Sequence, residues 1–237
     1  MKKEFLKFSA AALLALMLVP QVQAASVSVT MTQTNVDEFL PDGLDYLSVT
    51  ISDGLDGAID FSVEILSLLT DLNAGSDFGI QEFTLNLGNS AASVADFLVP
   101  SGWFAREFVP AGTFNGFGDF DIHLKGTDST RQQPLEFSIV DVVGDTVFDY
   151  VSSLSTGSAA EGNVLFAARL AGFELDLEAL AQSELGIQFE GEIDLPTTGK
   201  FGGSTSVVPL PPAVALSLSA MAMLGLTGLR RRKLLSK

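Results

Sequence analysis

Apolar and polar residues alternate with a period of two over much of this chain. Val27, Val29 and Met31 interleave with Ser and Thr, and Leu47, Val49 and Ile51 do the same. So do Ile59-Phe61-Val63-Ile65, Phe83-Leu85-Leu87, Phe120-Ile122-Leu124, Leu135-Phe137-Ile139 and Leu185-Ile187-Phe189. Successive side chains of a strand point to opposite faces, so this alternation predicts half-buried strands. Turn chemistry separates them: Pro41-Asp42-Gly43, Ser52-Asp53-Gly54, Asp56-Gly57, Asn115-Gly116 and Gly126-Thr127-Asp128. Short strands at such spacing predict an all-β chain, an antiparallel β-sandwich. Helical signal is slight. Leu66 to Leu72 suits a turn or two of helix, and Leu175 to Gln182 reads as helix or strand.

The two ends break this pattern. Residues 1–24 have a basic start (Lys2, Lys3, Lys7), an apolar run from Phe8 to Val19, then Pro20 and the small-residue site Val22-Gln23-Ala24. These are the parts of a secretory signal peptide, with cleavage expected between Ala24 and Ala25. At the other end, Ala213 to Leu229 is seventeen residues without a charge, preceded by Val208-Pro209-Leu210-Pro211-Pro212 and followed by Arg230-Arg231-Arg232-Lys233. A helix of that length covers about 25 Å, enough to span a bilayer with local thinning. The arginines act as a cytoplasmic stop under the positive-inside rule, which places the body outside the inner membrane. The expected organisation is therefore a signal peptide (1–24), a β-sandwich (25–196), a Thr/Gly/Ser-rich flexible spacer (197–207), in which Phe201-Gly202-Gly203 also suits a last edge strand, and a C-terminal segment (208–233) with its transmembrane helix at 213–229 and basic stop at 230–233.

This tail, residues 208 to 233, resembles the PEP-CTERM family of sorting signals in its variant with Val208-Pro209-Leu210-Pro211 as the proline motif. The extra Pro212 departs from the pattern and leaves the register of any cut open. The resemblance implies recognition and cleavage by an exosortase, a membrane-embedded, transpeptidase-like processing enzyme, which releases the body to the cell surface or extracellular matrix. Signal peptidase and a transient stay in the inner membrane complete the implied partners; a permanent single-pass anchor is the alternative. The body also looks like the exported domains that accompany this signal, in stretches such as Phe78-Gly79-Ile80-Gln81, Gly116-Phe117-Gly118-Asp119-Phe120-Asp121 and Phe166-Ala167-Ala168-Arg169-Leu170-Ala171-Gly172-Phe173. That likeness implies a jelly-roll-like sandwich and no activity.

Setting the ends aside exposes the charge of the body. Arg106, Lys125, Arg131, Arg169 and Lys200 stand against twenty-eight carboxylates, a formal charge of −23. Such a field repels nucleic acid, anionic membrane and anionic polysaccharide, and attracts cations. With no cysteine, stability rests on a packed core, for which sixteen phenylalanines from Phe39 to Phe201 supply the bulk.

Catalytic instruments are few. His123, the one histidine, sits at a polar-facing strand position and reads as a solvated surface residue. Neither a Gly-x-Ser-x-Gly elbow nor a His-Glu-x-x-His helix occurs. A secreted hydrolase acting through two carboxylates finds no pair singled out among the twenty-eight. Calcium is the ion the sequence offers ligands for: Asp53, Asp56 and Asp60 in one glycine-bearing stretch, Asp119 and Asp121 in another, though neither has EF-hand spacing. Trp103, after the Pro100-Ser101-Gly102 turn, is the candidate platform for a carbohydrate ring. The expectation is an exported, non-enzymatic surface or extracellular-matrix component associated with polysaccharide, with no cofactor except calcium; a carbohydrate- or calcium-binding module is the alternative.

Overall fold

The alternating stretches fold as strands in two antiparallel sheets. A computed structural model describes residues 25–73, 75–182, 195–204 and 208–209, and its compact unit runs from Ala25 to Leu210. The first sheet contains β1 (Ser26–Met31), β3 (Leu47–Asp53), β4 (Ile59–Ile65), β6 (Phe97–Leu98), β9 (Leu135–Ile139) and β12 (Val208–Pro209), in the order β12-β1-β3-β4-β9-β6. The second contains β2 (Gln33–Thr34), β5 (Gly79–Leu85), β7 (Phe104–Thr113), β8 (Asp119–Lys125), β10 (Phe166–Ala171) and β11 (Thr198–Gly203), in the order β2-β11-β10-β5-β8-β7. Two short helices, α1 (Ser67–Leu72) and α2 (Leu177–Gln182), occupy the two stretches with slight helical signal. The Leu185-Ile187-Phe189 alternation, the expected signal peptide at 1–24, and residues 210–237 with Leu210, Pro211 and the expected transmembrane and basic segments lie outside the described residues. Among the described residues no helix is long and apolar enough to cross a membrane.

One core joins the sheets. Val27, Val49, Phe61 and Phe137 of the first sheet and Phe83, Leu124, Phe166 and Phe201 of the second belong to a single buried cluster, which is the arrangement of a β-sandwich. Phe137 sits at its centre, stacked on Phe61 at 4.6 Å and reaching Phe83 of the opposite sheet at 5.7 Å. Buried hydroxyls are satisfied locally, Tyr46 donating to the Pro41 carbonyl at 2.6 Å and Tyr150 to Asp145.

The spacer reading is corrected by β11. Residues 198–203 form an interior strand between β2 and β10, and Phe201 is fully buried against Tyr46 and Phe173. Its glycines look like a linker in sequence but answer a packing need. A Cβ on Gly202 would lie 2.6 Å from the Phe117 ring, and one on Gly203 would lie 2.6 Å from the Thr30 carbonyl oxygen. The folded body thus runs past 196, and Val208–Pro209 pairs with Val27 and Ser28 at the sheet edge.

The outer face of the second sheet carries a smaller apolar layer of its own. Phe166, Ala168 and Leu170 point into the main core, so Ala167 faces out, where it packs with Phe114, Phe117, Phe120 and Val164. The Ser155 hydroxyl closes this layer: it donates to the Phe117 carbonyl and accepts from the Val164 amide at 3.0 Å. Ser155→Ala leaves two buried backbone groups unpaired. The expected loss is about 1.5 kcal/mol, seen as a fall of about 3–6 °C in thermal melting.

Candidate functional site

Four of the five Lys and Arg between residues 25 and 210, with the histidine, gather on that outer face beside the apolar layer. Strand register brings them there. On β5, Phe83 and Leu85 point inward, which turns Glu82 and Thr84 outward. Glu82 pairs across the ladder with Lys125 of β8 on one side and Arg169 of β10 on the other. His123 lies beside Thr84 and opposite Arg106 of β7, while Lys200 of β11 lies opposite Arg169.

Glu82 is the hub. Its Oε1 accepts from Lys125 Nζ at 2.9 Å and Arg169 Nη1 at 3.2 Å, and its Oε2 accepts from His123 Nε2 at 3.1 Å. Burial works to raise its pKa, but the hydrogen bonds from His123 and Lys125 and the positive charge around it win and hold it at about 2. Arg106 donates from Nε at 3.1 Å and Nη2 at 2.9 Å to His123 Nδ1. A guanidinium cannot accept, so Nδ1 carries the lone pair and Nε2 the proton that Glu82 receives. The reading of His123 as a solvated residue is corrected here: it faces outward yet is only 3% exposed, because Phe108 stacks on its ring at 5.0 Å and Phe114 meets it edge-on at 6.2 Å.

The cations remain accessible where the hub is not. Lys125 and Arg169 side chains are 39% and 29% exposed against 10% for Glu82, and Arg106 is exposed above Phe108 at 5.1 Å. Lys200 Nζ lies 4.8 Å over the Phe114 ring; burial lowers its pKa, Glu82 pulls it up and Arg169 pushes it down. Lys125 and Arg169 pair with Glu82, Arg106 with His123, and Lys200 lies over Phe114, so one face gathers four of the five cations of a body of −23. The fifth cation, Arg131, pairs with Asp128 at 3.1 Å and donates to the Asp77 carbonyl. Both nitrogens of His123 are committed, so it has no lone pair to offer a substrate proton. Exposed guanidinium and ammonium groups of this kind can hold an anion by charge and hydrogen bonds.

The other sequence candidates are placed elsewhere. Trp103 is only 7% exposed and its Nε1 donates to the Thr130 carbonyl at 2.6 Å, so its ring is closed to a saccharide; it covers Gly126 in the turn beyond β8. Asp53 accepts from the Ala25 amide at 2.7 Å, Asp60 from the Ser138 hydroxyl at 2.6 Å, and Asp121 from the Leu87 amide at 3.2 Å. Asp56 is exposed in a turn with φ of 56°, and Asp119 is half-buried in the bridge to Thr156. Among the described residues no group of three or more His, Asp or Glu is placed to hold a metal ion through side chains alone.

The cationic band was legible only in part. The i, i+2 spacing of His123 and Lys125 puts them on one strand face, but Arg106, Arg169 and Lys200 join them only through the β7-β8-β5-β10-β11 register. A shallow groove of about 530 Å³ on the outer face of the first sheet, lined by Thr50, Ser52, Asp60, Ser62 and Glu136, is the other polar surface of note. No protein-family model, curated protein or solved structure matches the chain.

Proposed function

We propose that this chain is an exported, non-enzymatic, jelly-roll-like β-sandwich that is sorted to the cell surface or extracellular matrix and holds acidic polysaccharide there through the outer face of its second sheet. The observation that carries this reading is the gathering of Arg106, Lys125, Arg169 and Lys200 around Glu82 and His123. The net charge of the body argues against a polyanion at long range. At physiological ionic strength, however, exposed charges are screened beyond about 8 Å, so contact is governed by the band rather than by the distant carboxylates. Carboxylates suit the exposed Arg and Lys, Arg by its two-pronged geometry and Lys as a mobile point charge. Strand scaffolding holds the cations at fixed spacing, which lowers the ordering cost of binding a repeating polymer.

Export and sorting rest on the two terminal signals. Signal peptidase and an exosortase-like enzyme are the processing partners it calls for, with the inner membrane as a transient station. Mass spectrometry of the protein recovered from its own cells tests this. A mature form beginning at Ala25 and lacking residues 213 to 237, found outside the inner membrane, is the expected result; an intact tail in the membrane fraction would leave a permanent anchor instead.

A further inference from the structure

The residue that follows the expected signal cleavage is held from two sides. The Ala25 amide donates to Asp53 Oδ2 at 2.7 Å, and the Asp53 amide donates back to the Ala25 carbonyl at 3.0 Å. Ala25 borders a cavity of about 420 Å³ whose walls include Asp53, Ile59, Asp145, Val147 and Phe148. In that wall Asp145 uses only one oxygen: Oδ2 takes the Tyr150 hydroxyl, while Oδ1 is buried without a partner. A backbone amide brings one N–H to a cavity lined by two carboxylates, and Asp53 receives it. Hydrolysis of the Ala24–Ala25 bond changes that count, since water gives its hydroxyl to the Ala24 carbonyl and a proton to the Ala25 nitrogen. The new amine takes up a second proton from solvent at neutral pH. Ala25 then presents three N–H donors and a full positive charge.

We propose that Asp53 and Asp145 form a primary-ammonium site whose ligand is the chain's own mature N-terminus. The site rests on the export reading, because only signal-peptide removal creates its ligand. Asp53 holds one N–H of the ammonium, and the free oxygen of Asp145 is the acceptor for another. Asp53 and Asp145 are the titratable groups lining the cavity, and both are acidic, so nothing in its wall opposes the new charge. Cleavage and the last step of folding are thereby coupled: the leader leaves behind the cation that completes the edge of β1.

The test compares processed and unprocessed full chains from the native cell, the latter made by Ala24→Phe, which removes the small residue that signal peptidase requires. Asp53→Asn keeps an acceptor for a neutral amide but removes the charge partner of an ammonium. It is expected to lower the melting temperature of the processed chain by about 2–4 °C and to leave the unprocessed chain within about 1 °C. An NMR titration of the α-amine is expected to find its pKa above the ordinary value of about 8, returning there in Asp53→Asn and part of the way in Asp145→Asn. Equal melting shifts in both chains, or an unshifted α-amine in a chain that begins at Ala25, would overturn the pairing. A mature chain beginning elsewhere would overturn the premise instead.

Discussion

Glu82→Gln is expected to lower the melting temperature at pH 7 by about 5–10 °C and to remove most of the acid sensitivity between pH 4.5 and 2. The Glu82 side chain is 10% exposed and its carboxyl is held at about 2 rather than at the ordinary value of 4.5. A carboxylate with a depressed pKa stabilises the fold fully above its unfolded value and loses that contribution as pH falls through the folded one. The window is therefore pH 4.5 down to about 2, and the difference corresponds to about 3 kcal/mol. Glutamine retains the shape and one acceptor, but leaves Lys125 and Arg169 without their counter-charge and His123 Nε2 with a weaker acceptor. Melting curves from pH 2 to 7 check this, because the wild-type and variant stabilities converge at the acid end. Two curves that stay parallel would mean that Glu82 is not the electrostatic hub.

The second large effect concerns binding. Replacing Arg106, Lys125 and Lys200 together with glutamine is expected to weaken binding of an acidic polysaccharide about 100-fold, from three charge-assisted contacts of about 1 kcal/mol each. Arg169 stays in place so that Glu82 keeps a partner, which limits the structural cost of the triple change. The control is Arg131→Gln, which removes one positive charge from outside the band; the single Lys125→Gln is its charge-matched counterpart within it. Arg131→Gln is expected to leave affinity within about twofold, since a rim charge away from the contact changes little. Equal losses in the two single variants would attribute binding to net charge rather than to this face.

Much of the sandwich was readable from alternation because one face of most strands meets solvent. β1, β3, β4 and β9 keep the two-residue period over their core-facing residues. The period fails where both faces are covered. β10 reads Phe-Ala-Ala-Arg-Leu-Ala with five of six residues buried, since the Phe117 layer lies over Ala167. β11 looks like a linker for the same reason: Gly202 is small because an aromatic ring sits on it. The site was hidden differently. Each of its residues stands at an unremarkable polar strand position, and its chemistry arises from non-local pairing across five neighbouring strands. Global charge pointed the wrong way, because a sum of −23 conceals a band of the opposite sign.

The central claim is that this face binds carboxylate-bearing polysaccharide. Its most direct measurement is the affinity of the mature protein for polygalacturonate, with neutral dextran as the comparison, between about 50 and 200 mM salt. The account predicts binding to polygalacturonate alone, with log K falling against log salt at a slope of about −2 to −3 for three to four neutralised charges. Absence of binding to polygalacturonate, or binding to both polymers without salt dependence, would contradict it.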